Sequence, residues 1–300
     1  MSQSPVHLRP KAKRALNWDA KPPEKPRRVR RWAAGLGERL KAWRRPALRQ
    51  AALALALCLL GCCYAMMPPE SAATSVLATK RILPVYSVER EDPVIAVTFD
   101  ASWGADNTPK LLDILDEYDA KCTFFLVGLW VDKYPEMVQA IAERGHEIGN
   151  HSDNHPHMTQ LSDAKIREEL RMMSDKVEKL TSVRPTLFRP PYGDYNNLVI
   201  QTARDEGYEA VQWSVDSLDW KNISPEDMIR RAGDVQSGDI ILFHNDSQYL
   251  LDALPTLLKS YQEKGLKMVK VSEILLEGET TIDVQGKQHP TAVQDTSKER

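Results

Sequence analysis

A chain of 300 residues exceeds an average domain, yet one barrel-type domain with appendages accounts for the length. The net charge of −2 conceals a lopsided distribution: residues 1–50 hold 15 Lys/Arg against 3 Asp/Glu, which leaves −14 on the other 250. The basic arm lacks the aromatic platforms and fold signatures that sequence-tolerant binding uses, so no nucleic-acid partner is expected.

Residues 1–50, with Pro22-Pro23, Pro26 and interspersed charges, bury too little apolar surface to offset chain entropy and are expected to be a disordered arm. A short helix is predicted near Trp32 to Trp43. Residues 51–67 are 17 positions without a charge, at the lower limit of the ~17–25 that span a bilayer. Lys/Arg ahead of such a run predict a single-pass signal-anchor in the cell membrane, with the arm cytoplasmic and everything C-terminal outside. A cleaved signal peptide, or a lipoprotein box at Leu59-Leu60-Gly61-Cys62, competes with this reading. The long arm and the lack of a small-x-small site before Pro68-Pro69 argue against both. Cys58, Cys62 and Cys63 lie in the span and Cys122 stands alone in the 233 residues C-terminal to it, so no intradomain disulfide is expected and Cys122 reads as core packing. Residues 68–91 read as a linker.

From residue 92 to 278 strand and helix signals alternate. Strands are predicted at Val94–Phe99, Cys122–Val127, Glu147–Asn150, Thr186–Phe188, Glu209–Ser214, Asp239–Phe243 and Val269–Val271. Helices are predicted near 108–118, 135–144, 163–180, 197–206, 225–232 and 250–264. This is an α/β fold of about seven βα units, too compact for an eight-unit barrel of ~250 residues, so a distorted, incomplete (β/α) barrel is expected. Residues 279–300 read as a polar, disordered tail.

In such a fold chemistry gathers at the C-terminal ends of strands. Asp100, His151, Arg189, Asp216 and His244 each fall within a few residues of a predicted strand end. His151 and His155, four apart, can face one metal if the segment is helical or tightly turned. Five segments occur in order: Thr98-Phe99-Asp100, His151 to His155, Arg189-Pro190-Pro191-Tyr192-Gly193, Asp216 to Trp220, and Leu242-Phe243-His244. Together they resemble the motifs of the NodB-type polysaccharide deacetylases, carbohydrate esterase family 4, over about 185 residues.

The resemblance implies removal of N-acetyl groups from an envelope polysaccharide such as peptidoglycan. It assigns His151 and His155 to a divalent metal, usually zinc; Asp100 to the general base; and Arg189 to holding Asp100 ionised. It further assigns the Tyr192 backbone N–H to the oxyanion, His244 to the general acid oriented by Asp219, and Trp220 and Leu242 to the wall of an acetyl pocket.

The chain departs from the family at one ligand. The usual Thr-Phe-Asp-Asp-Gly is here Thr98-Phe99-Asp100-Ala101, so alanine stands where the third metal ligand is expected. Asp106 is the nearest spare carboxylate. Weak metal binding by two histidines is expected, and the alternative reading is a catalytically weak or inactive glycan-binding protein. The Asp-Ala-Ser-Trp-Gly variant is similar to that of membrane-anchored sporulation-type members, which implies a role in sporulation.

Overall fold

The structure, a computed structural model, describes residues 46–66 and 81–291, so the expectations for 1–45, 67–80 and 292–300 lie outside the described residues. The chain divides into two compact units, Met1–Ala78 and Thr79–Arg300. The described part of the first is one helix, Pro46–Met66, on which Leu53, Leu55, Leu57, Leu59 and Leu60 are exposed. The expected bilayer span finds no support: among the described residues no helix is long and apolar enough to cross a membrane. The uncharged run that suggested it is 17 residues, at the short end of what a span needs.

In the second unit the strands are β1 (Ser87–Val88), β2 (Val94–Ala101), β3 (Thr123–Leu126), β4 (Glu147–Asn150), β5 (Leu187–Phe188) and β6 (Glu209–Ala210). They continue as β7 (Val215–Asp216), β8 (Ile240–His244), β9 (Lys267–Met268), β10 (Thr280–Ile282) and β11 (Lys287–Pro290). The main sheet runs β6-β5-β4-β3-β2-β8-β7, all parallel, with β9 beside the start of β2. Helices connect the successive strands of this sheet that pair in parallel, as such pairing requires. The result is the expected incomplete (β/α) barrel: a curled parallel sheet whose edge strands, β6 and β7, are separated by four residues of chain.

β2 is buried along its whole length, which is why it reads as a continuous apolar run rather than an alternation. Its two faces nevertheless differ. Ile95, Val97, Phe99 and Ala101 join the main core under the helices, whereas Thr98 and Asp100 turn to the other face. β8 repeats the division: Ile241 and Phe243 face the helices, while Leu242 and His244 point to the cavity. Register sets Thr98 against Leu242 and Asp100 against His244.

Three expectations are corrected. The linker and the polar tail both contribute to the fold, because β1 pairs in parallel with β11, which pairs antiparallel with β10. Val85 and Val88 are fully buried, and bridges from Val85 to Val211 and from Ser87 to Asp239 lay this segment across the open side of the barrel. Short strands whose partners lie 200 positions away carry no local signal. The closing strand is Lys267–Met268, and Val271 instead starts a short helix, Val271–Ile274, where the Glu273 side chain accepts the Lys270 N–H. A helix at Gly128–Lys133 was not predicted.

Residues 81–91 and 279–291 are therefore expected to be required for stability. Deleting 81–91 exposes the surroundings of two fully buried valines, worth on the order of 3–6 kcal/mol at ~1.5–3 kcal/mol per side chain. The urea midpoint of the deleted protein should fall accordingly; an unchanged midpoint contradicts the clasp. His289 joins the two ends by facing Glu89 at 2.8 Å and Asp283 at 3.1 Å.

Candidate active site

A cavity of about 720 Å³ opens at the C-terminal ends of the strands, as this architecture predicts. Its lining includes Asp100, His151, His155, Tyr192, Trp220, Leu242 and His244, so seven of the nine residues to which the family resemblance assigns a role meet there, with Asp216 beside them. The other two, Arg189 and Asp219, are buried behind Asp100 and His244.

Arg189 is fully buried at the end of β5 and donates from Nη1 to Asp100 Oδ1 at 2.8 Å and to Thr98 Oγ1 at 2.8 Å, and from Nη2 to the Gln212 carbonyl at 3.0 Å. Its guanidinium lies 4.1 Å from the Phe125 ring centroid. Gly149, paired with Phe125 across β3 and β4, leaves room for that ring, since a Cβ at 149 would collide with it. Burial by itself would raise the Asp100 carboxyl, but Arg189, with His151 and His244, outweighs it and holds the group below its ordinary range. Asp100 is therefore a buried, ionised and oriented carboxylate.

His244 forms the second pair. Asp219, buried, accepts the His244 backbone N–H at Oδ2, 2.7 Å away, and faces His244 Nδ1 with Oδ1 at 2.8 Å. An ionised carboxylate only accepts, so Nδ1 carries the proton and Nε2 is left for the cavity. Burial pulls the imidazole down, but Asp219, aided by Asp100 and Asp216, overrides it and raises the group above its ordinary value.

The segment from His151 to His155 is a tight turn rather than a helix, with positive φ at Ser152 (67°) and His155 (56°). Ser152 Oγ accepts the His155 N–H at 2.9 Å, and Asn150 Oδ1 accepts that of Ser152 at 2.8 Å. The imidazole centroids lie 5.0 Å apart. His151 Nδ1 is 2.7 Å from the Arg189 carbonyl, which can only accept, so its Nε2 is bare and stands 3.5 Å from Asp100 Oδ2. Burial lowers both imidazoles, His155 to about 4.

That geometry decides how well these groups fit a metal. Two neutral imidazoles share one end of the cavity, His155 Nδ1 is buried without a partner, and two bare acceptors face each other across His151 and Asp100. A cation suits that arrangement, and His151 and His155 are the residues that would hold it. A third protein ligand is missing: among the described residues no group of three or more His, Cys, Asp or Glu is arranged to hold a metal. Ala101 is fully buried in the helix-side core, and Asp106 is exposed and does not line the cavity.

Tyr192 has φ 60° and an exposed ring against those of His155 and His157, both 4.4 Å away. Its backbone N–H makes no hydrogen bond within the described residues, which leaves it free to donate. Trp220 is exposed on the rim and Leu242 is buried in the wall.

Sequence reasoning did not find Trp103, Trp213, Asn222, Asn245, Asp246 and Ser247 in the lining. Asn245 Nδ2 bonds the Gly104 carbonyl at 2.9 Å, and Asp246 Oδ1 accepts the Asn107 N–H at 3.1 Å, so the loop after Ala101 is latched to the loop after His244. One signal was available, since Asn245 to Ser247 comes directly after the last motif. Left-handed backbone occurs at three lining residues, His155, Tyr192 and Asn222, a clustering of strain typical of functional sites.

Residues 87–211 match the family model described as polysaccharide deacetylase. The chain is 37% identical over 196 residues to a peptidoglycan-N-acetylglucosamine deacetylase of Bacillus cereus, covering 63% of this chain and 92% of that protein. It is 33% identical to an uncharacterised Bacillus subtilis protein, matching 64% of this chain but only 60% of that relative's length. Among solved structures, a Bacillus anthracis protein described as a CE4 family pseudoenzyme superposes with a TM-score of 0.62 at 32% identity, covering 65% of this chain and 69% of that one.

Proposed function

This chain belongs to the polysaccharide deacetylase family, and we propose that it hydrolyses N-acetyl groups on an envelope glycan, with peptidoglycan as the substrate. The observation that carries this reading is that Asp100 and His244 stand opposite each other on β2 and β8 and face one cavity, each paired behind with a buried partner, Arg189 and Asp219. An amide is a poor electrophile, so its hydrolysis needs a base for water, support for the oxyanion and an acid for the departing amine.

Asp100, ionised and fixed by Arg189, takes the proton of the attacking water. The water oxygen bonds to the acetyl carbon, and the developing oxyanion accepts from the free Tyr192 N–H. His244 Nε2 then donates its proton to the nitrogen as the carbon–nitrogen bond breaks, releasing acetate and a free amine. Asp219 holds His244 in the tautomer and charge state that this step requires. A divalent cation at His151 and His155, zinc by the nature of the donors, would polarise the acyl oxygen and ease ionisation of water. Leu242 and Trp220 bound an apolar pocket for the acetyl methyl.

A second reading has its own observation. Ala101 supplies no third ligand, and a structural relative of this chain is described as a pseudoenzyme. On this reading the chain binds glycan with little turnover. Acetate release from N-acetylated chitooligosaccharides and from peptidoglycan, with zinc content determined on the same sample, separates the two. Release that falls with chelator and in His151→Ala supports the hydrolase. Bound zinc without release from either glycan favours binding, and neither zinc nor release sinks the hydrolase.

The unit Thr79–Arg300 is proposed to work on the outer side of the cell membrane. The basic 1–50 region ahead of an uncharged run supports this. Protease added outside intact cells is expected to degrade the domain and spare residues 1–50; the reverse pattern overturns the topology.

A further inference from the structure

We propose that Glu169 is a positioning residue for the His151 and His155 pair: from the helix Asp163–Thr181 it holds the turn between them in its left-handed shape. This rests on reading the two histidines as the holders of a divalent cation, and it says what lets two imidazoles do so without a third protein ligand.

Two residues of the turn that are not glycine, Ser152 and His155, have positive φ, a conformation that L side chains resist. The hydrogen bonds show what holds it. All four backbone N–H groups from Ser152 to His155 meet a side-chain acceptor. Asn150 and Ser152 take the outer two, and Glu169 Oε2 takes the inner two, from Asp153 at 2.9 Å and from Asn154 at 2.8 Å. Glu169 Oε1 also accepts from Asn154 Nδ2 at 2.9 Å. Asn150 and Ser152 belong to the segment itself, so Glu169 is the acceptor that ties it to the scaffold.

The carbonyls are taken from the other side. Gly128 N–H donates to the Ser152 carbonyl and Leu129 N–H to that of Asp153, both at 3.0 Å. These are the first two N–H groups of the helix Gly128–Lys133, which a helix cannot satisfy internally.

The longer helix grips the turn a second time. Lys176, two turns after Glu169 on the same face, donates to Asp153 Oδ1 at 2.5 Å and to Asp132 Oδ2 at 2.7 Å. Asp153 is buried, and its carboxylate abuts Gly128, where a Cβ would collide with it. Asn150 Nδ2 secures that helix to the end of β4 through the Leu170 carbonyl at 2.7 Å and Ser174 Oγ at 3.0 Å. Glu169, Asp153 and Lys176 do not line the cavity, so they act through the histidines.

The shape of the turn therefore comes from protein groups alone. A cation that must first order its ligands loses affinity in doing so, and one that meets a ready-made pair does not. Groups that orient metal ligands are typically worth about 10–100-fold in affinity, which offsets part of what the missing third ligand takes away.

The test measures zinc affinity of the full chain by competition with a chromophoric chelator, together with the visible spectrum of the cobalt(II) form, which reports ligand geometry. The parent chain is expected to bind one cation, and His151→Ala to lose it. Glu169→Ala should bind zinc about 10–100-fold more weakly and alter the cobalt spectrum, while a cooperative thermal melt shows that it is folded. Glu169→Gln should fall between, since its one carbonyl oxygen can accept both backbone N–H groups but its amide nitrogen then faces the Asn154 Nδ2 donor. Arg171→Ala, on the same helix but bonded to Glu206, should leave the affinity unchanged. Equal affinity in Glu169→Ala and the parent, an equal loss in Arg171→Ala, or a parent chain with no His151-dependent cation overturns the inference. Zinc binding that depends on Glu169 without acetate release upholds it and sinks the hydrolase reading. Acetate release from a chain that binds no cation does the reverse.

Discussion

His244→Ala is expected to lower kcat by about 10²–10⁴-fold, the usual contribution of a general acid, and to cost on the order of 1–3 kcal/mol of stability, because one oxygen of the buried Asp219 carboxylate loses its partner. The imidazole is half-buried at a strand end, and its loss removes one hydrogen bond to Asp219 while the backbone N–H of residue 244 continues to satisfy the other carboxylate oxygen. The activity profile in pH should be bell-shaped. The acid limb tracks Asp100, which titrates below the ordinary carboxylate range, and the alkaline limb tracks His244, which titrates above the ordinary imidazole value of about 6.5. Asp219→Asn removes the carboxylate that overrides burial, so the alkaline limb should move to lower pH. Initial rates over a range that starts well below the ordinary carboxylate value of ~3.9 and ends near pH ~10 check both statements; an alkaline limb that stays in place in Asp219→Asn rules out His244 as the acid.

Arg189→Met is expected to abolish turnover and to cost about 3–5 kcal/mol of stability, the usual penalty for breaking a buried ion pair from one side. The residue is completely enclosed, and Asp100, itself almost inaccessible, has Arg189 as its nearest cation. In the parent protein Asp100 has a depressed folded pKa, so its stabilising contribution is present above the unfolded value of ~3.9 and is lost as pH falls through the folded value. Without Arg189, burial prevails and the folded pKa rises. The sign then reverses: the variant should lose stability as pH climbs above ~4, where the unfolded chain ionises but the buried carboxyl resists. Denaturant midpoints of both proteins at pH 4 and pH 7 distinguish these slopes, and parallel slopes refute the pairing as the source of stability. Arg189→Lys is not expected to rescue, because one ammonium cannot reach Asp100, Thr98 and the Gln212 carbonyl together.

Much of the fold was legible because its signals are local. Strands such as Val94–Ala101 and helices such as Asp163–Thr181 announce themselves by apolar periodicity within a dozen residues. The polar residues that interrupt that periodicity at strand ends, Asp100, His151 and His244, were legible for the same reason. Their order along the chain also set the expectation of a deacetylase-like site.

What only the tertiary structure decided depends on partners distant in sequence. β1 and β11 are too short and too polar to signal themselves, and they form because each supplies the other's hydrogen bonds across 200 positions. Ala101 is next to Asp100 in sequence, but the two-residue period of a strand puts it on the helix side, away from the cavity. Asp246 reads as an ordinary loop residue until Gly104 and Asn107 hold it in the cleft. The sequence thus determined which chemical groups are present and the strand ends that carry them. Packing and register determined which of those groups share one cavity, which carry charge there, and that two imidazoles meet in it with no third ligand group among the described residues.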